Sequence, residues 1–374
     1  MRRNEVTPTR KVTAAVATGV GAALVLGAGA TYYVVRNRTY WKCARRTLRK
    51  AGFVEKNVAI DGATINYAEG PDNGPPLLLI HGQMVDWTTY MRVLADLAQD
   101  FHVYVVDCYG HGRSDRAPER YSNVAMGRDL AAFLRTVIAE PAFVSGNSSG
   151  GLLGIQIANE APGLVRALIL EDPPLFSSLH PRFSSTAGYD LPRLAHEFLA
   201  SHETDFPSFY VAHTAFLGFF GDLAPRMIRS ALAQRAEKPP QPIRWWYMPP
   251  ALNEMFRTLD QYDPLFGEAF YTGAWHDGFD HTDALAALSV PTVLIHANWR
   301  LDEAGTTLLG AMDDRDAARA RNLIDGVDFR RVDAGHAVHF EKPRIFIDIV
   351  RAATTAPAGE PRSRPERSTG WVQR

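Results

Sequence analysis

The chain is poor in the residues from which cross-link and cofactor frameworks are commonly built. Among its 374 residues only Cys43 and Cys108 are cysteines. They lie in different segments with no C-x-x-C, which excludes a disulfide framework and a cysteine-based zinc site. No H-E-x-x-H or comparable spacing occurs among the histidines and acids, so neither a metal nor another cofactor is expected. Internal repeats are missing, which argues against a solenoid. No basic patch interleaved with aromatics follows position 50, so nucleic acid is not an expected partner. Charge is moderate, at 22% of residues against 46% hydrophobic, the composition of an ordered globular protein.

The net charge of -1 hides an asymmetry: residues 1–50 carry eleven Lys or Arg against one Glu, leaving -11 beyond position 50. Within that basic segment Val12 to Val35 is free of charge for 24 residues. At about 1.5 Å per helical residue it is long enough to cross a hydrocarbon core of about 30 Å. The expectation is a single-pass transmembrane anchor at 12–35, with a basic flank at 1–11 and a basic juxtamembrane linker at 36–52. Seven cations follow the span and four precede it, which places the downstream domain in the cytoplasm by the positive-inside rule. The alternative is secretion after signal cleavage near Ala30, because Ala28-Gly29-Ala30 offers small residues at the required spacing.

Beyond Asn57 the pattern alternates between strands and helices. Val58 to Ile60 and Thr64 to Ala68 form a hairpin about Asp61-Gly62, and Pro76 to Ile80 is a continuous apolar run. His102 to Cys108, Ala142 to Ser145, Val165 to Leu170 and Val290 to Ile295 repeat it, with helical stretches such as Val124 to Ile138 between. Continuous apolar runs predict strands buried on both faces, and the alternation predicts a mainly parallel sheet with helices on both sides. From about Pro173 to Leu288 the alternation lapses into aromatics, prolines and helix-like patches, which reads as an inserted helical cap. The tail at 353–374, rich in Pro and Arg, has the composition of a disordered segment.

One pentapeptide carries chemistry. Gly146-Asn147-Ser148-Ser149-Gly150 places a serine in G-x-S-x-G, directly after a β-branched and aromatic run and before an amphipathic helix from Leu152 to Glu160. A serine in a sharp strand-to-helix turn needs small neighbours, and the helix start favours an anion beside it. With this elbow the chain resembles the α/β-hydrolase superfamily, specifically its cap-bearing serine hydrolases of the esterase and lipase type, over roughly residues 53–352. Further motifs agree in order. Leu77-Leu78-Leu79-Ile80-His81-Gly82-Gln83 resembles the turn after the third strand, and Asp107-Cys108-Tyr109-Gly110-His111-Gly112-Arg113-Ser114 resembles the family's Asp-x-x-Gly-His-Gly-x-Ser turn. Pro291 to His296 resembles the strand before the acid, and Ala334-Gly335-His336 resembles the histidine loop.

The resemblance implies an α/β-hydrolase fold, with a core at 53–172 and 289–352 and a helical cap at 173–288. It implies Ser148 as nucleophile and His336 as base, since a serine hydroxyl needs a base within hydrogen-bond reach. The oxyanion hole would be the backbone N–H groups of Gln83 and Ser149. The acid departs from the pattern. The expected loop reads Ala297-Asn298-Trp299-Arg300-Leu301-Asp302-Glu303, which makes Asp302 the first choice. Asp172, after the sixth strand, is the alternative, and Asp280 in the cap trails both. His81, His111 and His281 read as structural histidines, His339 as a packing or surface residue, and Trp245, Trp246 and Tyr247 either line an acyl pocket or fill the cap core.

The expected activity is hydrolysis of an ester, or another activated acyl bond, of a fairly apolar small molecule through an acyl-Ser148 intermediate. A serine at the elbow argues against the epoxide hydrolase and haloalkane dehalogenase branches, which place an aspartate there. Thioester, lactone and carbon–carbon bond hydrolysis and cofactor-free peroxidation remain open alternatives. A non-catalytic ligand-binding or interaction protein on the same fold is the alternative of a different class, kept by the irregular Asn298 to Glu303 loop.

Overall fold

The computed structural model describes residues 9–237 and 241–355. Eight strands form its main sheet: β1 (Val54–Ile60), β2 (Ala63–Glu69), β3 (Pro76–Ile80), β4 (His102–Val106), β5 (Ala142–Asn147), β6 (Val165–Glu171), β7 (Thr292–His296) and β8 (Asp328–Arg331), in the spatial order β1-β2-β4-β3-β5-β6-β7-β8. The hairpin β1–β2 is antiparallel and β2 runs antiparallel to β4. Every other pairing in the sheet is parallel.

The continuous apolar runs have the cause anticipated for them. Leu78, Ile80, Val106, Val144, Leu168 and Leu170 enter one apolar cluster. Their neighbours Leu77, Leu79, Val105, Phe143, Ala167 and Ile169 enter a second cluster. Side chains two apart share a face, so a strand covered on both sides must be apolar at every position. On one side lie α2 (Asn123–Phe133) and α3 (Ser149–Glu160), packed on each other and, through α3, on β5 and β6. Ser122 caps α2 by accepting from the Ala125 N–H. On the other side the C-terminal helix Pro343–Thr355 contributes Phe346, Ile347 and Val350 to the second cluster.

Between β6 and β7 the chain is helical, with helices at Asp190–Leu199, Phe206–His213, Ala224–Glu237, Pro250–Arg257 and Pro264–Thr272. Asp205 and Asp263 cap two of these with their carboxylates, each followed by a Pro one or two residues on. That Asp-then-Pro order suits a first helical turn, where N–H groups have no carbonyl one turn back. Phe206, Tyr210, Trp245, Phe256, Phe266 and Phe270 are buried inside this layer. Trp245 fills its core and donates to the Met227 carbonyl, whereas Trp246 is exposed.

The amino-terminal segment corrects an expectation. Thr9–Lys50 is one helix, α1. Among the described residues no helix is long and apolar enough to cross a membrane. Freedom from charge was mistaken for hydrophobicity: Val12 to Val35 holds two leucines but neither isoleucine nor phenylalanine, and is dominated by Ala, Gly, Val and Thr. Small side chains contribute little transfer free energy. The single-pass anchor, the orientation read from it and the membrane as a partner through this helix fall with that finding. The stretch expected as a linker is the carboxyl half of α1. Leu48 is buried in the second apolar cluster, Asn37 donates to the Met248 carbonyl at 2.9 Å, and the Arg257 guanidinium lies 3.9 Å from the centre of the Trp41 ring. The tail from 356 onward and the first eight residues lie outside the described residues.

Candidate active site

Strand order creates the site. β3 has β4 on one side and β5 on the other, so the chain reverses its direction of travel there, and the loops after β3 and β5 meet at the carboxyl end of the sheet. Such reversals are where open α/β sheets carry their ligands. Ser148 follows β5 with φ 56° and ψ -125°, a left-handed conformation costing roughly 1–3 kcal/mol for a residue with a Cβ. Its neighbours allow it. A Cβ on Gly146 would stand 2.1 Å from the Gly150 carbonyl oxygen, and one on Gly150 would stand 2.4 Å from the Ile80 carbonyl oxygen. Both are impossible contacts, so G-x-S-x-G is the only spacing that lets α3 start this close to β3 and β5.

The loop after β3 presses on the nucleophile: a Cβ on Gly82 would be 2.8 Å from the Ser148 Cβ. Gln83, the next residue, is therefore beside Ser148, while Ser149 opens α3 and has no carbonyl one turn back to receive its N–H. Gln83 and Ser149, the residues expected to supply an oxyanion hole, are thus near neighbours of the serine. His81 anchors this loop, since its Nε2 accepts from the Cys108 N–H at 3.0 Å while Nδ1 faces the Gly82 carbonyl at 2.6 Å. The cap holds the same loop from above. Arg257 donates to both oxygens of Asp86 at 2.9 and 3.2 Å, the Thr258 hydroxyl donates to the Met84 carbonyl, and the Tyr262 hydroxyl donates to Gln83 Oε1 at 3.4 Å.

His336 meets Asp172, not Asp302. The imidazole Nδ1 lies 2.7 Å from Asp172 Oδ2. A carboxylate only accepts, so Nδ1 carries the proton and Nε2 keeps its lone pair. Asp172 is 1% exposed and sits at φ 45°, just after β6. Burial pushes its carboxyl upward, but the nearby His296 ring, the hydrogen bond and charge of His336 and the Ala297 N–H outweigh it, and the net shift is downward. For His336, burial of the inner ring edge pulls the value down, and the Asp172 hydrogen bond with the charges of Asp172, Glu171 and Glu341 pushes it up by more. The His336 side chain keeps 45% of its surface exposed, and Ser148 is part-exposed, so substrate can reach both.

Asp302 belongs to a different structure. It sits in a small hairpin pairing Arg300–Leu301 with Leu308–Leu309, and its carboxylate accepts from the N–H groups of Thr306 and Thr307 at 2.8 and 3.1 Å. Those N–H groups, Thr307 foremost, pull it down to about 2. It closes a turn and makes no contact with His336. Asp280 caps the helix His281–Ala286. His281 is buried and accepts from the Phe176 N–H at 2.9 Å. Sequence reading missed three contributors. Asn147 Nδ2 donates to the His336 carbonyl at 3.0 Å and to the Glu171 carbonyl at 3.3 Å, joining the elbow to the histidine loop. Glu171, which had no assigned role, and His339, read as a packing or surface residue, form a buried pair. His296 packs its Nδ1 3.8 Å from Asp172 on the side away from His336. The adjacent acids Glu171-Asp172 at a strand end were the one available signal.

Comparison with known proteins follows this geometry. The model of the alpha/beta hydrolase family matches residues 77–349, from β3 through the C-terminal helix. The chain belongs to that family. An uncharacterized protein of Mycobacterium tuberculosis is 40% identical over 98 residues, 26% of this chain and 29% of that one. This match thus spans under a third of the relative's length. An esterase of the same organism is 26% identical over 284 residues, covering 75% of this chain and 82% of the esterase. Among solved structures, E-2-(acetamidomethylene)succinate hydrolase superposes with a TM-score of 0.56 at 20% identity, over 81% of this chain and all of that one. At that identity the likeness is one of fold.

Proposed function

We propose that this alpha/beta hydrolase is a serine hydrolase that cleaves an ester, or another activated acyl bond, of a fairly apolar small molecule through an acyl-Ser148 intermediate. The observation that carries the proposal is the left-handed Ser148 at the elbow, joined through Asn147 to a histidine loop whose His336 is held by buried Asp172. His336 Nε2 takes the proton from the Ser148 hydroxyl as its oxygen attacks the carbonyl carbon. The oxygen of the tetrahedral intermediate accepts from the N–H groups of Gln83 and Ser149, at about 3 kcal/mol for each donor. The imidazolium then gives its proton to the leaving alcohol, and a water activated by the same ring releases the acid. Asp172 fixes the tautomer and stabilises the imidazolium. The oxyanion loop carries cap aromatics above it, Tyr262 by direct contact, Phe206 stacked on Tyr262 and Phe266 edge-on to it, which suits an apolar acyl group. The reading as a non-catalytic binding protein was kept by the irregular Asn298 to Glu303 loop and a lost acid, and the Asp172–His336 hydrogen bond favours the catalytic reading over it.

Turnover of p-nitrophenyl esters of two to twelve carbons tests this. Wild type is expected to hydrolyse octanoate faster than acetate, and Ser148→Ala and His336→Ala to fall to background while remaining folded. Retention of turnover in folded Ser148→Ala would refute the mechanism, and equal rates for acetate and octanoate would refute the apolar substrate.

A further inference from the structure

Two adjacent acids at the end of β6 grip two histidines that stand three residues apart. Asp172 holds His336, and Glu171 holds His339. The second pair differs from the first in being sealed, with side chains 0% and 1% exposed. Glu171 Oε1 accepts twice from one residue, from the His339 backbone N–H at 2.8 Å and from its Nδ1 at 2.9 Å, and Oε2 is also 2.9 Å from Nδ1. The carboxylate thereby caps the short helix Val338–Glu341 as well as orienting the ring. On its other edge His339 Nε2 meets the Thr89 hydroxyl at 3.1 Å, and its ring packs tilted against Tyr90 with centroids 4.2 Å apart. The Tyr90 hydroxyl donates to the Ile80 carbonyl at 2.9 Å, at the very end of β3. One buried network therefore touches the strand that carries the acid, the loop that carries the base, and the strand whose loop carries Gln83.

We propose that the Glu171–His339 pair is a positioning element for the serine chemistry, fixing the histidine loop against both the acid and the oxyanion loop and adding its negative charge to the environment of His336. The inference rests on the proposed acyl chemistry for its kinetic part only. Packing alone would not call for such a pair, because replacing both partners of a buried hydrogen bond by apolar side chains of similar volume is commonly neutral or stabilising. What apolar side chains cannot do is set direction, and small displacements of a catalytic group cost as much as 100-fold in rate. The charged groups that face His336 are Asp172 and Glu171 from β6 and Glu341 from its own loop, where Glu341 accepts from the Gly335 N–H at 2.9 Å. His296 faces Asp172 from β7. Glu171 reaches His336 through the turn at His339 and not through the His336 ring, and its charge favours the protonated ring.

Three variants separate positioning from simple stability. Glu171→Gln keeps the shape and the acceptor oxygen but removes the charge. His339→Gln retains a donor toward Glu171 and an acceptor toward Thr89. The double replacement Glu171→Leu with His339→Phe substitutes an apolar pair. Histidine-selective NMR titration of wild type and Glu171→Gln reads the His336 ring without any need for turnover, and ester kinetics read the rest. The expected results are a titration of His336 moved to lower pH in Glu171→Gln, with the acidic limb of kcat/KM following it. The apolar pair should melt no lower than wild type yet lose about tenfold or more in kcat at nearly unchanged KM, and His339→Gln should lie between. An unmoved His336 titration, or an apolar pair with kcat within twofold of wild type, would overturn the proposal. A wild type that turns over no ester would sink the acyl mechanism while leaving the titration to judge the pair.

Discussion

Asp172 owes its role as partner to a backbone conformation. At φ 45° it turns its carboxylate out of the sheet toward the histidine loop, a conformation that Asp tolerates better than most residues with a Cβ. Asp302 spends both its oxygens on the turn it closes. The two therefore respond differently to loss of charge. Asp172→Asn is expected to lower kcat/KM by roughly 1,000- to 10,000-fold, because an amide donor facing Nδ1 favours the wrong tautomer. Asp302→Asn should stay within about threefold, since turn closure contributes on the order of 1 kcal/mol at most and lies away from His336. Steady-state ester kinetics on the two variants decide between them. Spacing along the chain pointed to the loop after β7 for the acid, and only the sign of a backbone angle, which spacing does not carry, redirects it to the end of β6.

Elements were readable where a local pattern determines them. β3 is apolar throughout and β5, β6 and β7 carry apolar runs because both of their faces are covered, and the run marked each strand within about two positions. Gly146 and Gly150 were readable for a steric reason that holds at any such turn. β8 escaped notice because it is an edge strand with one apolar residue, Phe329, among Asp328, Arg330 and Arg331. Its register against β7, rather than any pattern of its own, makes it a strand. α1 shows the converse failure: a long uncharged stretch suggested a solvent for the helix that its small side chains do not support, and the contacts of Tyr40, Trp41 and Leu48 with distant residues had no local signature. The Glu171–His339 pair joins positions 168 residues apart and was equally invisible.

At the scale of the whole molecule, neutral buried histidines set the response to acid. Burial, above all, holds His111 near 3, His276 near 4 and His281 near 3, against an ordinary value of 6.5. Each is depressed in the fold, so its contribution to stability is complete above 6.5 and is lost as pH falls from there toward 4 and 3. The unfolded chain gains the protons that the fold refuses, at up to about 1.4 kcal/mol per pH unit for each group. His336 and Asp172 act outside that window: the raised His336 stabilises fully below 6.5 and loses that as pH rises beyond it, while the lowered Asp172 stabilises above its unfolded value of 3.8 and loses that only as pH falls below it. His81 is depressed by burial as well, and these four rings outnumber the raised His336 and the buried carboxyls Asp107 and Asp316, raised to about 7 and about 6, which gain stability as pH falls; the melting temperature is expected to fall between pH 7 and pH 5. Scanning calorimetry across that range checks it, and a flat profile would mean that these rings are hydrated in the fold.

The central claim is a covalent one, that the acyl group passes through the Ser148 oxygen. Rapid-quench reaction of the wild-type protein with p-nitrophenyl octanoate, followed by intact-mass and peptide analysis, tests it most directly. The account predicts a burst of p-nitrophenolate equal to the enzyme concentration, with an octanoyl mass increment on the peptide that holds Ser148. Turnover without any adduct at Ser148, or an adduct on another side chain at the same rate in Ser148→Ala, would contradict it.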